Sequence, residues 1–121
     1  MTTGRVPFAH EAVLEIAAGG DLGAPGGAIT LALCGRWDHE PPCPLAAHST
    51  SAEHDGGEVT VRLLFATAPD DEARVRRLVE DVLAAGWGDD PDGMRTTWRL
   101  LRSGPSELRA DEREHAGRLA G

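Results

Sequence analysis

The chain has 121 residues and a formal net charge of −8 with its histidines neutral, a size that fits one domain, residues 1–121, with a single modest core. So acidic a balance excludes nucleic acid as the main partner, because phosphate binding needs a basic face, and no stretch reaches the roughly 18 to 20 apolar residues of a membrane span. All 12 basic residues are arginine, and Lys, Asn, Gln and Tyr are missing altogether, which removes Schiff-base chemistry, pyridoxal-phosphate anchoring and P-loop phosphate binding.

The opening residues, M-T-T-G-R-V-P-F-A-H-E, lack a charged segment followed by an apolar one, so the expected location is cytoplasmic. Val13 to Ala18 reads as a first strand. The glycines that follow, Gly19-Gly20, Gly23 and Gly26-Gly27, match neither phosphate-binding fingerprint and read as a connection. Ala28 to Cys34 fits two periods: Ile29, Leu31 and Leu33 share one face of a strand, while Ile29, Ala32 and Leu33 share one face of a helix begun near Pro25 and stopped at Gly35. Periodicity leaves both open.

His48 to His54 is expected to pair, through the turn Asp55-Gly56-Gly57, with Glu58 to Thr67, where Val59, Val61, Leu63 and Phe65 alternate against Thr60, Arg62 and Leu64. Asp70 to Ala85 places Val75, Leu78, Val79, Val82 and Leu83 on one helical face, with Asp70 as N-cap and Gly86 as the left-handed stop. Gly88 to Gly93 reads as a turn, because Pro91 and Leu100 occupy places where an EF-hand loop needs oxygen ligands. Met94 to Arg102 is expected to be a strand, and Pro105 to Leu119 a polar, peripheral helix. These elements predict an α+β fold: an antiparallel sheet of four to five strands with one face covered by helices, a ferredoxin-like sandwich or close variant, plus the C-terminal helix.

The densest chemistry lies between Cys34 and His54, which holds both cysteines and three of the five histidines. Thiolate and imidazole both offer lone pairs to a borderline-soft cation, and zinc is satisfied by four of them in a tetrahedron. Cys34, His39, Cys43 and His48 would make such a set, in a loop stiffened by Pro41, Pro42 and Pro44. Asp38, Glu40 and His54 are further possible ligands or bases. The separations of four, three and four residues do not match the familiar zinc-finger or knuckle spacings. A packed polar loop with Cys34 as a small buried hydrophobe is the plain alternative, and a thiol activated by His39 or His48 is another.

No HExxH or Gly-x-Ser-x-Gly motif accompanies the cluster, so no catalytic residue is assigned. The functional expectation is a small soluble metal-binding protein with zinc in a structural role. The alternative is a non-catalytic interaction domain that forms a homodimer or takes a protein partner. His10 and His115 are expected at the surface. Arg62, Arg99 and Arg102 are expected on strands, bound to an anion or paired with nearby carboxylates.

Overall fold

The computed structural model describes residues 4–34, 46–90 and 92–120, with Cys34 described in its backbone alone. Strand β1 (Val6–Ile16) leads to helix α1 (Ala24–Cys34), then to the hairpin β2 (Ala47–Asp55) and β3 (Glu58–Thr67). A 3-10 turn at Pro69–Asp71 opens helix α2 (Glu72–Ala85), followed by β4 (Trp87–Asp89), β5 (Arg95–Ser106), a second 3-10 turn at Ala110–Glu112 and helix α3 (Arg113–Ala120). The five strands form a curled antiparallel sheet in the order β2-β3-β1-β5-β4. No helix among the described residues is long and apolar enough to cross a membrane.

Strand pairing puts directly opposed residues on one face. In β1 and β3 the pairs Phe8–Phe65, His10–Leu63, Ala12–Val61 and Leu14–Val59 therefore look the same way. That face carries the main core, closed by Ile29 and Leu33 of α1, Val75, Val79 and Leu83 of α2, and Trp98 of β5. The alternate residues Ala9, Leu64 and Ala66 are also buried, because α3 packs on the opposite face against β3, β1 and β2. β3 thus lies between two layers, which explains its near-continuous apolar run.

Ala28 to Cys34 belongs to a helix. Its start is set by Asp21, whose carboxylate accepts the Gly23 N–H at 2.9 Å and whose carbonyl accepts the Ala24 N–H at 3.1 Å, with Pro25 in the first turn, where its missing N–H costs nothing. Gly26 looks like a helix breaker but is there for contact: a Cβ on it would stand 2.5 Å from Thr50 Oγ1 of β2.

At the other end of the sandwich Gly86 stops α2 with φ 81°. A Cβ there would also meet the Trp98 carbonyl at 2.8 Å. The Trp98 indole in turn donates to the Leu83 carbonyl at 2.9 Å, satisfying one of the acceptors a helix end leaves open.

Several expectations are corrected. β1 begins at Val6, seven residues before the expected Val13. The loop after α2 contains β4, whose three residues pair with Arg95–Thr97. The expected C-terminal helix starts later than Pro105: β5 runs on to Ser106, a 3-10 turn covers Ala110–Glu112, and α3 itself is Arg113–Ala120. The acidic segment after β4 is a turn, as expected: Asp90 Oδ1 accepts the N–H groups of Asp92 and Met94, each at 2.9 Å.

Candidate functional site

Of the expected zinc ligands, His48 is placed. Its ring sits at the start of β2, where Nδ1 lies 3.2 Å from the Ala46 carbonyl and Nε2 lies 2.9 Å from Thr30 Oγ1 of α1. A carbonyl can only accept, so Nδ1 carries the proton and Nε2 presents its lone pair to the threonine hydroxyl. The side chain of Cys34, together with His39, Cys43, Asp38 and Glu40, lies outside the described residues. Position 34 follows Thr30 by four residues, one turn farther along the same row of the helix. His54 is on β2, paired opposite Val59. Among the described residues, no group of three or more His, Cys, Asp and Glu side chains converges as a metal site.

A second cluster centres on His10, which is buried at 1% exposure and not on the surface as expected. It lies on the core face of β1 because strand alternation runs on from Leu14 and Ala12 to His10 and Phe8. From α2, Arg76 Nη1 reaches His10 Nδ1 at 3.0 Å and the Ala9 carbonyl at 2.8 Å, while its Nε is 2.8 Å from Glu72. The Arg76 guanidinium also rests over the rings of Phe8 and Phe65, at 5.8 and 5.2 Å from their centroids, a favourable cation–π position.

The third member arrives through a break in register. Leu14 pairs with Leu100 and Val13 with Arg102, so Leu101 is an extra residue in β5. This bulge turns Arg102 outward and Ser103 inward, bringing Ser103 Oγ within 2.9 Å of His10 Nε2.

The pair resembles a serine–histidine dyad, but its polarity is reversed. Arg76 has only protons to offer, so His10 Nδ1 must accept and Nε2 must carry the proton that goes to Ser103. A general base needs the opposite tautomer, with its lone pair facing the hydroxyl. Burial first, and the Arg76 charge second, hold the His10 pKa below 6.5, opposed by Glu80. The cluster is a neutral, buried polar junction.

No family model and no curated protein matches this chain.

On the sheet face toward α3, Arg62 is 6% exposed and uses every nitrogen of its guanidinium. Nε and Nη2 grip Glu112 at 2.5 and 2.7 Å, Nη2 also reaches the Glu107 carbonyl at 2.6 Å, and Nη1 reaches Ser106 at 2.8 Å and Glu11 at 3.4 Å. The grip of Arg62, aided by the Arg109 N–H and opposed by burial, holds the Glu112 pKa down to about 2. Arg99 and Arg102 pair with Glu15 and Glu58 at 3.1 and 3.7 Å. Between α1, α2 and β4 lies an apolar groove of about 370 Å³ lined by Leu31, Val82 and Trp87, with Trp87 45% exposed beneath the Arg95 guanidinium.

Proposed function

We propose that this chain is a small metal-binding protein that holds a zinc ion where α1 gives way to β2, with Cys34, His39, Cys43 and His48 as ligands in a closed structural site. The observation that carries this reading is the pair of contacts made by the His48 ring, Nδ1 to the Ala46 carbonyl and Nε2 to Thr30 Oγ1. Metal-ligating histidines hand their other ring N–H to a carbonyl or carboxylate, which fixes the ring and raises its basicity. His48 already does so through Ala46, and its Nε2 lone pair is turned toward α1, one helical turn or about 6 Å of rise before position 34. The Thr30 hydroxyl that occupies this lone pair can rotate to another acceptor. Two thiolates would neutralise the dication, so the acidic chain need supply no further charge.

The scaffold reading goes with it. The order β2-β3-β1-β5, with α1 and α2 on one face, supports a ferredoxin-like arrangement to which β4 adds an edge. In that frame the ion would tie the α1–β2 crossover and contribute directly to folding.

Elemental analysis of the purified protein tests the proposal. About one zinc per chain is expected, with Cys43→Ser and His48→Ala each lowering metal content and melting temperature together. Thr30→Val, which removes only the competing hydroxyl, should retain the metal. Metal-free protein with two freely titrating thiols, or unchanged melting in Cys43→Ser, would sink the zinc reading.

A further inference from the structure

Beside Arg76 of the His10 cluster lies a cleft of about 610 Å³ between the start of β1, α2 and the segment that joins β5 to α3. This is within the usual size of a small-molecule site. Pro7, Phe8 and Leu108 give it an apolar wall, and Arg76 and Arg113 bring two cations.

Arg76 is held on three sides, by Glu72, the Ala9 carbonyl and His10, and from behind by two aromatic rings. Its Nη2 makes no hydrogen bond among the described residues. The Arg113 side chain makes none among them and is exposed at the start of α3. One donor is therefore preorganised and the other is free to close upon a ligand, the combination that limits the entropic cost of binding.

Charge selects among anions. Glu72 is paired with Arg76, which leaves the Arg113 guanidinium as the lining's uncompensated cation. Glu107 on the lining faces the same space and repels a phosphate dianion more than it repels a monoanion. The apolar wall asks for an apolar body of a few carbons or one ring.

We propose that this cleft binds a small monocarboxylate, with its apolar body against Phe8 and Leu108 and its carboxylate bridging Arg76 and Arg113. The site is independent of the zinc reading, since it shares no residue with the α1–β2 junction. A carboxylate at Arg76 Nη2 would complete a guanidinium whose other nitrogens are already engaged, forming charge-assisted bonds on a side chain that need not reorganise.

Titration of the intact chain with benzoate and hexanoate, followed by amide chemical shifts, tests this. Saturable binding at about millimolar concentration or tighter is expected, with shifts centred on Phe8, Ala9 and Leu108. Benzyl alcohol, which keeps the ring and loses the charge, should bind roughly tenfold more weakly or worse. Arg113→Gln alters an exposed, unpaired side chain, so the fold is retained and benzoate affinity falls by a similar factor. Two results would overturn the proposal: no saturable binding of either carboxylate, or binding of benzoate that neither Arg113→Gln nor removal of the ligand's charge weakens.

Discussion

Arg62 shows at the residue scale how a buried charge is made tolerable. An isolated guanidinium inside a protein is strongly disfavoured, yet here the bidentate grip on Glu112 and the bonds to Glu107, Ser106 and Glu11 account for its whole donor set. Removing one side of such a pair is worse than removing both. Glu112→Gln should destabilise the protein by about 3–5 kcal/mol because it leaves the Arg62 charge buried without its carboxylate, whereas the double variant Arg62→Met/Glu112→Gln removes both charges and should cost much less. Urea denaturation of both variants checks the ordering. Equal losses would mean that the pair merely fills space. The sequence shows Arg62 on the less apolar face of a strand, which supports the expectation of a carboxylate partner, but not that the partner lies 50 residues on. His10 is hidden for a related reason: a strand begun at Val13 does not reach it, whereas β1 starts at Val6 and its alternation puts His10 inside.

Legibility at the scale of elements depended on how many environments an element meets. α2 has one buried face, and its period of 3.6 stands out; β3 is buried on both faces, yet Val59, Val61, Leu63 and Phe65 still alternate with Thr60 and Arg62 clearly enough to mark a strand. α1 is apolar nearly all round, with Leu31 exposed although Ile29 and Leu33 are buried, so no period distinguishes it. β4 has three residues, too few for any pattern. The bulge at Leu101 left no mark, because M-R-T-T-W-R-L-L-R alternates well enough without it, and so the meeting of Ser103 with His10 could not be foreseen. For the candidate zinc site, composition supplied the ligand set, while the partners that orient His48 depend on the turn of α1 against β2. Gly86 was legible, and its role can be measured. Gly86→Ala must hold a left-handed backbone at roughly 1–2 kcal/mol and also displace the Trp98 carbonyl, so the loss in chemical denaturation should exceed that figure. An unchanged midpoint would show that the α2–β4 turn has another way round.

The whole molecule should lose stability on acidification, in two separate windows. His10 has a folded pKa below its unfolded value near 6.5, so as pH falls through 6.5 the unfolded chain takes up a proton that the folded one refuses. Glu112 follows at lower pH: its folded pKa of about 2 lies below the ordinary 4.5, so its contribution is complete above 4.5 and drains away as pH falls from there toward 2. Both effects have the same sign. Melting temperature recorded from pH 8 to pH 2 should fall in two steps, and Glu112→Gln should remove the lower one. A profile flat down to pH 4 would contradict the placement of His10.

The sheet's central strand pairs on one side with β3 and on the other with β5, whose register ends at Ser106 opposite Ala9. During synthesis β1 emerges first and finds β3 after about fifty residues, but its other edge stays open until some ninety residues have followed. At about 5–20 residues per second that interval lasts roughly 5 to 20 seconds. Throughout it, the nascent chain exposes an unpaired row of amides beside Ala12 and Leu14, a template for pairing with neighbouring chains. The strand that organises the finished protein is thus also the one that most needs shelter while the protein is being made.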